Sequence, residues 1–196
     1  MAGKHRLWFR SVLAYTIAGS VSATLVGVLL GAIGRALGGK PGGGKIFYPI
    51  GFLALTLAAR EWGFLKFDLP ERKRQTRKAW AHEFGFVTAS AMWGMDIGFG
   101  FGTRITYGGF WLLVAVAAGF GDPAYGGAIM LTYWLGRVLP TWLAPLLLTS
   151  VSDVMELPRV ILVEGSLYHR LVGVALFWSG GLAFFAALPE YLRPFH

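Results

Sequence analysis

The chain contains no cysteine, and this absence removes several kinds of chemistry at once. A protein without thiols forms no disulfides, performs no thiol redox reaction and offers no thiolate to a metal ion. Charge is scarce as well, because only 14% of the residues are charged, against about a quarter in a typical soluble domain. Hydrophobic residues make up 55% of the chain, and its mean hydropathy is +0.56. This composition is typical of an integral membrane protein of one domain.

The few charges are mostly basic, with 18 lysines and arginines against 10 acidic residues. In a soluble protein, a net charge of +8 and a pI near 10.0 would indicate nucleic-acid binding. Here the basic residues lie between apolar segments, which is the pattern of loops that face anionic lipid headgroups. We therefore expect membrane lipids, and no nucleic acid, around the most basic loop, which contains Arg72, Lys73, Arg74, Arg77 and Lys78.

Long apolar segments recur along the chain, and about 20 helical residues suffice to cross a hydrocarbon core of about 30 Å. The sequence predicts an all-α, polytopic transmembrane helix bundle with about five spans. We expect the first span to be a retained anchor, because no small-residue cleavage site follows a short apolar core. The spans lie near residues 11–37, 46–65, 84–120, 124–149 and 169–188. A polar connector is expected at 150–168, either irregular or with a short amphipathic helix.

The third apolar segment is too long for one straight span and short for two. Three alternating glycines, from Gly98 to Gly102, favour a bent or broken helix around Gly98–Thr106. The competing version has two short spans joined by a turn at residues 100–109, which raises the count to six.

The distribution of lysine and arginine predicts the orientation. In the five-span version, eleven of them lie on one side: three near the N-terminus, six in the loop from Lys66 to Lys78, and two in the connector. Four lie on the other side. We expect a cytoplasmic N-terminus and an outside C-terminus, in the cytoplasmic (inner) membrane of a bacterium. Six spans would place both ends in the cytoplasm.

The first span contains a pair of small residues that favours close helix packing. Gly27 and Gly31 form a GxxxG pattern, which lets a neighbouring helix approach closely. The pattern is common in apolar sequence, so packing within the chain is favoured over a dimer interface.

The chain resembles the transmembrane cytochrome c biogenesis family, the CcdA and DsbD type, in several segments. The strongest match is Phe-Gly-Phe-Gly-Thr at residues 99–103, followed by Gly108-Gly109 and the apolar run 110–118. The next span, with Tyr133, Gly136 and Pro140, is similar to the helix that follows in the family. Residues 65–78 resemble the basic loop that closes its first repeat.

The resemblance implies a fold of inverted three-helix repeats, and it departs from the family where that family performs its chemistry. Members of the family pass reducing equivalents across the membrane through cysteines, and no cysteine stands near residues 104–106. The family's first helix, with its Pro-Cys-x-x-Pro, has no counterpart. The fold therefore carries over by resemblance, whereas thiol electron transfer by this chain alone is excluded.

Charged residues inside predicted spans are candidates for function, because each costs about 2.5–3.5 kcal/mol on insertion scales. Asp96 and Arg104 lie eight residues apart, about 12 Å along an unbroken helix. They form either an ion or substrate site at the broken helix or, as we favour, an ion pair that holds the bend. Arg137 has three interpretations: a pair with Asp96, an anionic lipid site, or contact with a partner subunit.

The remaining polar residues give no enzyme signature. Arg60 and Glu61 end the second span, where snorkelling to the interface is the simple interpretation. The histidines lie near predicted interfaces, so haem ligation is not expected, and no phosphate loop, nucleophile elbow or HExxH motif occurs. We predict no catalysis, no metal and no cofactor. The 15% aromatic content fits faces that meet lipid, pigment or a partner.

Two functions remain open at this stage. The first is a non-catalytic subunit that stabilises or helps to assemble a larger membrane complex with other integral subunits. The alternative is a small transporter or channel for an ion or small solute, with its site at the broken helix between Asp96 and Arg104.

Overall fold

The structure is a computed structural model, and it describes residues 2–39, 46–70, 79–100, 107–147 and 151–191. All regular secondary structure in these ranges is helical, so the predicted all-α class is confirmed. The basic loop residues Arg72, Lys73, Arg74, Arg77 and Lys78, and also Arg104, lie outside the described residues. The helices are α1 (Ala2–Ala36), α2 (Phe47–Glu61), α3 (Trp80–Phe84), α4 (Phe86–Gly98), α5 (Gly108–Gly119), α6 (Pro123–Leu147) and α7 (Val151–Tyr191).

Helix α1 has 35 residues and packs against three other helices, α4, α5 and α6. It runs antiparallel to α6, because the Trp134 indole N–H donates to the Thr16 carbonyl at 3.0 Å while Gly27 meets Gly126 further along. Gly27 and Gly31 thus form the face of α1 that packs against α6. The predicted role of this glycine pair in packing within the chain is observed.

The third apolar segment forms two helices, α4 and α5, which pack against successive parts of α1. Gly94 lies against the backbone of Tyr15, and the end of α5 lies against Gly34. Both helices therefore run in the direction of α1, with an interruption between Gly98 and Gly108. The end of α4 at Gly98 and the start of α5 at Gly108 agree with the break predicted around Gly98–Thr106. Residues 101–106 lie outside the described residues.

The bundle has two layers of helices: α1, α4 and α6 form the first, and α2 and α7 form the second. Helices α2 and α7 run antiparallel to each other. The Tyr48 hydroxyl donates to the Ala187 carbonyl at 3.5 Å, and the Trp62 indole donates to the Arg170 carbonyl at 3.4 Å. Helix α5 joins the layers, since Phe110 belongs to a core cluster with α1 and α6 whereas Leu112 belongs to a cluster with α2 and α7.

Successive long segments alternate in direction: α1, then α2, then α4 with α5, then α6, then α7. Two described helical stretches, His5–Ala36 and Gly165–Leu188, are long and apolar enough to cross a membrane, and α5 is a shorter apolar helix. The predicted connector at residues 150–168 differs from the structure, because α7 is one helix of 41 residues that begins at Val151.

We expect Gly27→Ala to destabilise the fold, because the new Cβ would overlap the backbone carbonyl of Gly126, which cannot move aside. Overpacking of this kind costs about 1–3 kcal/mol of unfolding free energy. Thermal unfolding of the purified protein measures the loss. The matched control is Gly181→Ala in α7, where a Cβ meets nothing. There the gain in helix propensity is about 0.5–1 kcal/mol, and equal effects of the two changes would contradict the packing described.

Candidate functional site

A carboxylate lies inside the bundle at the C-terminal end of α2. The side chain of Glu61 is 0% exposed, and its two oxygens meet three donors. The Arg60 guanidinium donates to Oε1 at 2.9 Å, and the backbone N–H of Gly108 donates to the same oxygen at 2.8 Å. Nδ1 of His169 contacts Oε2. A buried charge is tolerated only when it is paired in this way.

The contact with Gly108 caps one helix with a side chain from another. Gly108 is the first residue of α5, and Tyr107 before it is extended, with φ of −103°. The first N–H groups of a helix have no partner within the helix, and the positive end of the helix dipole favours a negative charge there. Glu61 supplies both the acceptor and the charge.

The two side chains that contact the Glu61 carboxylate are each held by further contacts. Arg60 also donates from Nε to the Phe67 carbonyl at 2.9 Å, and its guanidinium lies 5.7 Å from the centre of the Phe67 ring. His169 packs against Tyr107, with ring centres 4.9 Å apart. For an ionised Glu61, which can only accept, the proton of the His169 bond stays on Nδ1.

A small cavity connects this cluster to the surface. It has a volume of about 430 Å³ and is lined by Arg60, Lys66, Asp68 and His169, among others. The His169 side chain is 39% exposed. The cluster thus joins a buried carboxylate to a histidine that reaches solvent.

A larger groove lies between α5, α6 and α7, with a volume of about 910 Å³. Tyr107 and Tyr168 stand at the end nearest the Glu61 cluster, with their ring centres 4.5 Å apart. Arg137 and Tyr133 line the same groove from α6, and the Arg137 guanidinium donates to the Tyr133 hydroxyl at 3.2 Å. We call this space the α5–α6–α7 groove.

Of the residues predicted to form an intramembrane polar site, the two that the structure describes, Asp96 and Arg137, do not pair. Arg137 is exposed and lines the α5–α6–α7 groove. Asp96 is partly buried on α4, lines neither of these two cavities, and forms no ion pair with Arg137. Its proposed pairing with Arg104 falls outside the described residues and stays a prediction.

The prediction that Glu61 snorkels to the interface is wrong, because its carboxylate is fully buried. The sequence carried a weak signal, namely an acidic residue at the end of an apolar run. Its other partners, Gly108 and His169, lie 47 and 108 residues away along the chain, so the sequence could not pair them. Among the described residues, no group of three or more histidines and carboxylates could hold a metal ion.

Comparison with known proteins finds distant relatives. No family model matches the chain, and no solved structure matches it. It is 24% identical over 133 residues to the methylamine utilization protein MauF of Paracoccus denitrificans, covering 68% of this chain and 48% of the relative. It is 26% identical over 136 residues to the MauF protein of Paracoccus versutus, covering 68% and 49%. The chain spans about half the length of these curated relatives.

We expect Glu61→Leu to lower the free energy of unfolding by about 3 kcal/mol, because the change leaves the buried Gly108 N–H without its acceptor and removes the carboxylate beside the partly buried Arg60 guanidinium. Thermal unfolding measures the loss. The control is Glu83→Leu on the short helix α3, where the side chain is exposed and no change is expected. Equal melting temperatures for the wild type and Glu61→Leu would contradict a structural role for the cluster.

Proposed function

We propose that this chain is an integral membrane protein with five crossings that serves as a non-catalytic subunit of a larger membrane assembly. In this proposal, α1, α2, the α4–α5 pair, α6 and α7 each make one crossing, and the third crossing is broken in its middle. The alternating directions of these segments support the count, since a chain that crosses a membrane repeatedly must reverse at each turn.

The outer face of α1 carries the argument for a partner protein. Seven large apolar side chains stand exposed at four-residue spacing along it, and an eighth follows directly after its last residue: Phe9, Leu13, Ile17, Val21, Leu25, Leu29, Ile33 and then Leu37. We call them the α1 ridge. Such i, i+4 rows are what pack into the grooves of a neighbouring helix.

The length of the α1 ridge favours a protein over lipid as its cover. From Phe9 to Leu37 the ridge extends for about 42 Å at a rise of 1.5 Å per residue. A hydrocarbon core of about 30 Å covers roughly 32 Å of a helix at the typical tilt of about 20°. About 10 Å of apolar ridge would therefore lie outside the lipid tails, where a transmembrane helix of another subunit would bury it.

The distant relatives agree with a bacterial setting, and their printed name refers to methylamine utilization. We extend this to the chain as a proposal: the assembly that it joins serves the use of an amine. The resemblance of the chain to the cytochrome c biogenesis family stays a prediction. The alternative function, a small transporter with a site between Asp96 and Arg104, also stays a prediction.

The absence of native cysteine gives a direct test of orientation, because any introduced cysteine is the only thiol. We expect a membrane-impermeant maleimide to label Ala124→Cys in intact cells and His5→Cys only after permeabilisation. Both positions are exposed. They lie near opposite ends of the bundle, because His5 stands at the start of α1 and Ala124 follows Pro123, which meets Gly31 near the end of α1. The cysteine-free parent is the blank. Labelling of His5→Cys alone in intact cells would reverse the orientation, and labelling of both would contradict it.

Purification of the tagged chain from native membranes in a mild detergent tests the subunit role. We expect other integral membrane proteins to co-purify in fixed proportion, and mass spectrometry identifies them. The double change Ile33→Ala and Leu37→Ala removes one end of the α1 ridge, where it extends beyond the lipid tails. It should reduce their recovery at least about tenfold, since two large apolar side chains buried from water contribute about 1.5–3 kcal/mol each.

The matched control is the double change Leu182→Ala and Phe185→Ala on the exposed face of α7. It removes similar apolar area outside the α1 ridge, so recovery of the partners should not change. A clean monomer or homodimer from the wild type would contradict the subunit role.

A further inference from the structure

The α5–α6–α7 groove is polar at one end and apolar along the rest. Helix α6 runs antiparallel to α5 and α7, so Arg137 near the end of the groove is level with Tyr107 and Tyr168. Towards the other end, the walls are supplied by apolar residues such as Leu113, Ile129 and Leu176. A charged end followed by an apolar channel matches the chemistry of an amphiphile.

The charge at the polar end favours an anionic head. Within the described residues, the Arg137 guanidinium donates to the Tyr133 hydroxyl and forms no ion pair with a carboxylate. The nearest buried carboxylate, Glu61, is already matched by Arg60 and His169. Arg137 therefore brings an uncompensated positive charge to the groove, together with tyrosine hydroxyls that can donate to phosphate oxygens.

The size of the groove fits a hydrocarbon chain in one leaflet. From Tyr125 to Arg137 the wall formed by α6 is about 18 Å long, close to the depth of about 15 Å of half a bilayer core. The volume of about 910 Å³ lies at the upper end of the range of about 300–1,000 Å³ in which pockets bury small molecules.

We propose that the groove binds one anionic phospholipid, with its phosphate at Arg137 and Tyr133 and an acyl chain along α5, α6 and α7. The inference rests on the membrane location in the proposed function and not on the subunit role. Arg137 lies in the half of the bundle that contains the N-terminal part of α1, because Trp134, one turn before it on α6, donates to the Thr16 carbonyl. In the proposed orientation that half faces the cytoplasm, whose leaflet is rich in anionic lipid.

The test uses the full chain, purified alone in detergent, exchanged with mixed micelles of dioleoylphosphatidylglycerol or dioleoylphosphatidylcholine, and examined by native mass spectrometry. We expect one phosphatidylglycerol per chain to be retained, in about tenfold preference to phosphatidylcholine. Both lipids carry a phosphate, but the choline ammonium cancels its charge, so phosphatidylglycerol alone brings a net negative charge to Arg137; about 1.4 kcal/mol of added attraction corresponds to that ratio. Free inorganic phosphate should not compete, since it has no acyl chain to bury.

Two variants test the groove and its charge separately. Gly136 lines the groove, and a Cβ there meets nothing, so Gly136→Leu should fill the channel without loss of stability and abolish retention of both lipids. Its control is Gly181→Leu, at an equally open position of α7 away from the groove. Arg137→Gln should remove the preference for phosphatidylglycerol, whereas Arg170→Gln, which does not line the groove, should preserve it.

Three results would overturn the proposal. They are no retained lipid on the wild type, equal retention of the two lipids, and retention that persists in Gly136→Leu. A wild-type chain that stays in solution without detergent would instead contradict the membrane location. The absence of co-purifying subunits would contradict the subunit role and leave the lipid site standing, so the failures are distinguishable.

Discussion

A carboxylate that is removed from water needs hydrogen-bond donors around it. At Glu61 the contacts that meet this need link three helices of the bundle, α2, α5 and α7. Its partners come from the adjacent residue on α2, from the first amide of α5 and from the ring of His169 on α7. These contacts tie three helices at one level. Loss of any partner would leave buried charge or a buried donor unmatched, which costs several times more than an ordinary surface pair contributes.

The same contacts explain why the third apolar segment can stop and restart within the bundle. A helix that ends inside a protein exposes backbone groups that need partners, and at the start of α5 the carboxylate of Glu61 meets this need. Near this level lie a small cavity beside His169 and the α5–α6–α7 groove beside Tyr107 and Tyr168. The break between helices α4 and α5 therefore lies beside the Glu61 cluster and the polar end of the groove.

Much of the fold followed from local sequence, because the signals were local. Apolar runs predicted helices, alternating glycines predicted the interruption after Gly98, and the spacing of Gly27 and Gly31 predicted a close helix contact. The Glu61 cluster could not be predicted, since its partners are 47 and 108 residues distant and the neighbouring Arg60 suggested a simple pair at the interface. The polar residues at 150–168 suggested a connector with a short amphipathic helix, and the sequence did not show that this helix continues into the last span as one helix of 41 residues.

The most direct test of this account is the hydrogen exchange rate of the Gly108 amide, followed by NMR with selectively labelled glycine in the wild type and in Glu61→Gln. The account predicts slow exchange in the wild type, because the N–H is buried and bound to a carboxylate, and an exchange faster by about tenfold or more in the variant, where a charge-assisted bond becomes a neutral one. A wild-type amide that exchanges as fast as those of exposed glycines, or a rate that Glu61→Gln leaves unchanged, would contradict the central role of Glu61.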